Sequence, residues 1–197
     1  MCGRFSLSSD AYNSFIEFLD MGQSFVVPDR FNIAPSQPVA VLRLQGSDKD
    51  QAIIPQAPLP PREGALMRWG LIPHFAKEIK TDRPLINARS ETIADKPSFR
   101  GPFPAGEDWL ETVSLVTKPA NGIVKKIHNR SPVIVAPQDY DLWMRPCDPP
   151  DRDIFSKLST DLDKKLCMYE VSPYVNSARH DSEQCIIPAS TDQFKLF

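Results

Sequence analysis

Proline constrains this chain more than any other residue: 20 of its 197 positions are proline, against only 8 glycines. That is roughly twice the usual share, and each proline fixes φ and removes a backbone donor. Long helices and wide, uninterrupted sheets are therefore excluded, and short elements joined by stiff turns are expected. Hydrophobic residues make up 41% and charged residues 24%, which excludes a wholly disordered chain. The length suits one domain with its own core. A net charge of -2 gives no global attraction to nucleic acid, so any such binding must use a local patch. No apolar run approaches the ~18 residues of a membrane helix. The N-terminus lacks the basic-then-apolar layout of a signal peptide, which predicts a cytoplasmic protein without a membrane partner.

Periodicity predicts a first helix over residues 9–19, capped by Ser9 or Asp10, with Tyr12, Phe15, Ile16 and Leu19 on one face. A proline-punctuated loop follows over 31–38, then a β-rich run over 39–44. Ile53 and Ile54 suggest a short strand inside the polar stretch 46–64, and 65–71 reads as another strand. Residues 84–94 start extended and turn helical, 99–108 is irregular, and 111–117 alternates as a strand. Asn121-Gly122 signals a turn, 132–136 a buried strand, 138–144 and 154–158 short helices, and 167–171 a late strand. The expected class is α+β: one domain over 1–197, mainly antiparallel and barrel-like, with short peripheral helices and a peripheral tail from about 189.

Four cysteines, Cys2, Cys147, Cys167 and Cys185, form no C-x-x-C pair and match no zinc spacing with His74, His128 and His180. No metal is expected. The last three cysteines read as small buried hydrophobes in a reducing compartment. Cys2 differs, because loss of Met1 would leave an α-amine and a thiol on one residue, with ordinary pKa values of about 8 and about 8.5. Gly3 permits close approach, and Arg4 adds a cation that favours thiolate or binds phosphate.

Three further segments hold polar residues that a packed core does not ask for: Phe31 to Pro35, Arg68 to Glu91, and Ile127 to Pro132. Each has a plain alternative. Asn32 and Asn87 are types that tie down turns, Trp69 is a core residue in most settings, Arg89 and Glu91 form a local ion pair, and a lone histidine is usually a satisfied surface group.

Taken together, Met-Cys-Gly-Arg-Phe at the extreme N-terminus, Phe-Asn-Ile-Ala-Pro-Ser-Gln from Phe31, Arg-Trp-Gly-Leu-Ile-Pro from Arg68, Ile-Asn-Ala-Arg-Ser-Glu-Thr from Ile86 and Ile-His-Asn-Arg-Ser-Pro-Val-Ile from Ile127 resemble the SOS response-associated peptidase family, which includes abasic-site shielding proteins. The resemblance runs from Met1 to about Pro188, with a matching tail in Val171 to Asn176. It implies a DNA damage response protein that removes its own Met1 and attaches covalently to abasic sites in single-stranded DNA. The Cys2 amine and thiol would close a thiazolidine with the sugar aldehyde. By the same resemblance Asn87 orients the sugar and His128 assists proton transfer. Arg4, Arg89 and Arg130 contact phosphates, and Asn32, Pro35 and Trp69 line the DNA channel. It implies no cofactor, a monomer, and association with the nucleoid when DNA is bound.

The pattern breaks between Phe99 and Glu111. Relatives there insert several dozen residues, including a motif like Pro-Ala-Asp-Gly-Phe-Tyr-Glu-Trp whose glutamate works with the histidine. Here Pro104 to Glu111 runs straight into the next strand, Glu107 is the nearest candidate replacement, and Asn129 stands where aspartate is usual. Two other functions compete with the crosslinking reading. One is a degraded relative that only binds single-stranded DNA. The other is a cysteine-type peptidase with Cys2 as nucleophile and His128 as base.

Overall fold

The structure is a computed structural model that describes residues 2–19, 26–45, 58–76, 79, 84–99, 103–105, 108–147 and 151–189. Among the described residues, ten short strands fall into four small sheets. β1 (Phe5–Leu7) pairs antiparallel with β2 (Arg30–Ile33); β3 (Pro38–Leu44) pairs with β4 (Arg62–Trp69), whose other edge takes β8 (Thr112–Val113) in parallel. β5 (Asn87–Arg89) lies parallel to β9 (Leu115–Pro119), which pairs antiparallel with β10 (Arg130–Pro132); β6 (Phe103–Ala105) and β7 (Asp108–Leu110) form a separate hairpin. Helices are few: α1 (Ser9–Phe18), α2 (Tyr140–Met144) and α3 (Ile154–Lys157), with several 3-10 turns between. The mixed α and β content matches expectation. No closed barrel occurs among the described residues, whose strands pair in separate two- and three-stranded sheets.

Several boundaries differ from the sequence reading for local reasons. The cap of α1 is Ser8, whose hydroxyl accepts from Ala11 N at 3.2 Å, because the Ser9 amide and hydroxyl are spent on Asp29 Oδ1 at 2.6 and 2.9 Å. The expected loop at 31–38 begins instead as β2, held to β1 by the Phe5↔Ile33 pair. The single strand expected over 111–117 is two strands, since β8 serves β4 while β9 serves β5. The break falls at Ser114, whose hydroxyl donates to the Leu85 carbonyl. The strand expected over 132–136 lies earlier, at β10, and after Val133 N donates to Val116 O the chain leaves for the 3-10 turn that Pro137 opens. Residues 167–171 contribute only a bridge from Val171 to Pro188. Part of the expected irregular stretch 99–108 is the β6 strand. The strand expected at Ile53 and Ile54, the residue Glu107 and the tail beyond Ala189 lie outside the described residues.

Two apolar clusters support these sheets. Tyr12 and Ile16 of α1 pack on Val27, with Leu7 and Ala40 at the margin. Ile33, Val39 and Trp69 form the second cluster, flanked by Leu7, Val41, Ile86, Val113 and Leu115. Trp69 is 1% exposed, and burying an indole of this size contributes on the order of 5 kcal/mol before entropy. Gly70 follows with φ +117°, and a Cβ there would stand 2.7 Å from Pro84 Cβ. This close approach brings Leu71 into its bridge with Leu85, directly upstream of β5.

Candidate active site at the N-terminal cysteine

Asn87 opens β5 and donates from Nδ2 to the Cys2 carbonyl at 2.9 Å, across 85 residues of sequence. Its Oδ1 is buried and has no partner. Such an orphan acceptor is costly unless something else uses it. Asn87 is placed from below: Trp69 Nε1 donates to Ile86 O at 3.0 Å, and Leu115 N donates to the same carbonyl. The Arg-Trp-Gly motif and the asparagine motif are therefore one mechanical unit.

Cys2 is half-buried, and burial pushes its thiol above the ordinary value, opposed in part by the positive charge of the chain terminus. The guanidinium of Arg4, expected to favour thiolate, instead donates to Asn176 O at 2.9 Å. Of the other cysteines only Cys185 is buried. Cys147 and Cys167 are exposed, in loops that follow α2 and a 3-10 turn, so the expectation of three core cysteines holds for one.

His128 and Arg130 arrive on the loop into β10. The Arg130 amide donates to His128 Nδ1 at 2.9 Å, a shorter contact than that of Nδ1 with Arg130 O at 3.2 Å. This bond assigns the neutral ring's proton to Nε2. The Arg130 guanidinium makes a two-pronged pair with Glu91, Nη1 to Oε1 at 2.5 Å and Nη2 to Oε2 at 2.8 Å. Nη2 also reaches Thr117 O at 2.6 Å and Thr117 Oγ1 at 3.2 Å. Hydrogen bonds from Arg130 hold the Glu91 carboxyl down at about 2. The local ion pair anticipated for Glu91 is thus with Arg130 and not Arg89. Arg89 itself is exposed at the end of β5, and the two-residue strand period puts it on the same face as Asn87.

Asn32, Pro35 and Trp69 take different positions. Asn32 is 0% exposed and Trp69 1%, so neither side chain offers a face to a base. The Nδ2 of Asn32 serves three carbonyls, Val175 O at 3.0 Å, Ser177 O at 2.9 Å and His180 O at 2.7 Å. Pro35 is partly exposed in the turn after β2. Asp181, which the sequence did not single out, accepts from Arg30 Nε at 2.5 Å, Phe31 N at 2.6 Å and Asn32 N at 2.9 Å. Burial pushes its carboxyl up, but these donors outweigh that and hold it below the ordinary value. An aspartate close after the Tyr174 to His180 run was the only visible signal. Tyr174 and His180 stack with centroids 3.7 Å apart and cap the same segment. The C-terminal residues 173–185 are thereby strapped to β2 beside the strand that follows Cys2.

The family model for SOS response associated peptidase (SRAP) matches residues 1–107 and 102–178. The chain belongs to the SRAP family. It is 31% identical to the abasic site processing protein YoaM of Bacillus subtilis, over 94% of this chain and 97% of that one. It is 22% identical to the abasic site processing protein HMCES of Gallus gallus, over 62% of this chain and 56% of that one. A crystal structure of a protein from Bacteroides thetaiotaomicron superposes with a TM-score of 0.65 at 17% identity, covering 96% of this chain and all of that one. The SRAP match comes in two pieces that meet at residues 102–107. A 236-residue alignment that uses 94% of a 197-residue chain leaves about 50 positions of the relative without a counterpart here. The family match is thus interrupted at residues 102–107, and positions of the relative have no counterpart in this chain. The hairpin β6–β7 stands at the join.

Proposed function

We propose that this SRAP chain captures abasic sites in single-stranded DNA through Cys2 after Met1 has been removed by its own peptidase activity. Relatives named as abasic site processing proteins support DNA with abasic sites as the substrate. The observation that carries the reading is the Asn87 contact with Cys2, because it brings the N-terminal aminothiol to the strand bearing Arg89. An internal cysteine is useless for this chemistry, since its nitrogen is an amide.

The Cys2 amine attacks the aldehyde carbon of the ring-opened sugar, and loss of one water leaves an imine. The thiol then adds across the C=N bond: sulfur bonds to carbon, the nitrogen takes the thiol proton, and a five-membered thiazolidine closes. His128, oriented by the Arg130 amide on its Nδ1, is the candidate for the proton transfer that opens the sugar ring. The unpartnered Oδ1 of Asn87 is an acceptor for the Cys2 amine or a sugar hydroxyl. Arg89 and Arg130 take backbone phosphates, with Arg4 nearby.

The test is a single-stranded oligonucleotide carrying one abasic site, incubated with the protein and read on a denaturing gel. Wild type is expected to give a heat-stable adduct. Cys2→Ala should give none, though a reducible imine can survive; an undiminished stable adduct from that variant refutes the thiazolidine. The interrupted family match favours a second reading, a binding module without crosslinking. Mass spectrometry of the purified chain separates the two, since retained Met1 together with intact strand binding supports the module.

A further inference from the structure

We propose that Glu91 is a built-in stand-in for a DNA phosphate. Its carboxylate occupies the Arg130 fork in the free protein and must swing out before a backbone phosphate can enter. The inference rests on the reading above, in which Arg130 takes a phosphate.

Three observations carry it. First, the pair is two-pronged, at 2.5 and 2.8 Å, the geometry that two non-bridging phosphate oxygens would also adopt on a guanidinium. Second, the buried side of Arg130 is held through Nη2, which donates to Thr117 O and Oγ1, while Nε is buried without a partner and the side chain is 13% exposed. The Nη1–Nη2 end is the one that the partly exposed Glu91 covers. Third, Glu91 is 44% exposed on the turn after β5, with the Ser90 hydroxyl at 3.3 Å as a weak neighbour. It can leave into water without unpacking anything.

The exchange acts as a threshold. A lone phosphate must displace an intramolecular carboxylate that is always present. A strand that also meets exposed Arg89 and the Cys2 site gains enough elsewhere to open the fork. Glu91 is therefore a specificity-determining residue, favouring a polynucleotide over small phosphates.

The experiment is fluorescence anisotropy of the full chain with an intact thymidine oligonucleotide, which has no aldehyde and so reports binding alone. If the closed pair holds nine molecules in ten, its removal raises affinity about tenfold. Glu91→Gln is expected to bind about tenfold tighter than wild type at low salt. Glu91→Asp keeps the charge but is too short to span the fork, and should also bind tighter. Asp95→Asn, which removes a carboxylate from an exposed pair with Arg152, controls for net charge and should change affinity less than about twofold. Arg130→Ala should weaken binding, and Glu91→Gln on that background should give no gain.

Unchanged or weaker binding by Glu91→Gln overturns the proposal, as does a gain that survives without Arg130. If Glu91→Gln does not fold by circular dichroism, Glu91→Asp decides by the same criterion. Wild-type binding that Arg130→Ala weakens, with no gain from either Glu91 variant, defeats this inference and leaves the functional reading standing. No binding by wild type or any variant defeats both.

Discussion

Asn32→Asp changes one nitrogen to oxygen and turns a donor into an acceptor among acceptors. In the native structure two N–H bonds are shared among the carbonyls of Val175, Ser177 and His180, at 3.0, 2.9 and 2.7 Å, in a site with no solvent exposure. An ionised carboxylate there would face three carbonyl dipoles with no donor. Its penalty is of the order of 3–5 kcal/mol, the usual cost of an uncompensated buried charge. The introduced carboxyl avoids part of this by staying protonated, so its folded pKa lies above the unfolded value of about 3.9. The sign follows from proton binding. Below about pH 4 both states are protonated and the variant lacks only one donated hydrogen bond. Above it the unfolded state ionises first, and stability relative to wild type falls by about 1.4 kcal/mol per pH unit until the folded carboxyl ionises too. At about 2–4 °C per kcal/mol for a chain of this size, the melting temperature at pH 7 should drop by roughly 10 °C. Urea melts of both proteins between pH 3.5 and 8 measure the gap. Asn32→Ala should lose about 1–3 kcal/mol with no pH trend. A gap for Asn32→Asp that is below 1 kcal/mol, or flat with pH, refutes the assigned donor role.

Gly70→Ala combines a positive φ with a Cβ placed 2.7 Å from Pro84 Cβ. It should cost about 2–4 kcal/mol in urea melts and slow adduct formation through displaced Asn87; a cost below 1 kcal/mol removes the close approach from the argument. The Glu91 carboxyl, held at about 2 by Arg130, has a folded pKa below its unfolded value. Its contribution is present above about pH 4.3 and is lost as pH falls toward 2. NMR titration of that carboxyl should show this midpoint in wild type and a return toward the ordinary range in Arg130→Ala. A wild-type midpoint near 4 contradicts the fork.

Proximity was legible where spacing alone carries it: Asn87 and Arg89 sit two apart on one strand, and the chemistry proposed for Cys2 requires it to be second in the chain. What periodicity could not reveal was who partners whom at long range. Nothing local distinguishes an Asn32 that lines a channel from one that grips carbonyls 143 to 148 residues away. Glu91 reads equally well as a partner for Arg89 until the pairing of β9 with β10 brings in Arg130. The break at Ser114 was hidden for a related reason: alternation in 111–117 is continuous, and only the existence of two receiving sheets divides it. Periodicity put the cap at Ser9 or Asp10 and passed over Ser8, because Asp29, which occupies Ser9, is 20 residues distant.

The strap from residues 173–185 has a consequence for biosynthesis. The N-terminal segment is the first part made, yet Arg4 and Asn32 find their carbonyl partners only in residues 175–180. A nascent chain that has not reached Val175 leaves the Asn32 amide with nothing to hold, and β2 without the Asp181 carboxylate that ties Arg30, Phe31 and Asn32. Closing loops of this length adds little free energy but delays assembly. A product of premature termination therefore carries Cys2 and Asn87 but lacks the C-terminal partners that hold Arg4 and β2.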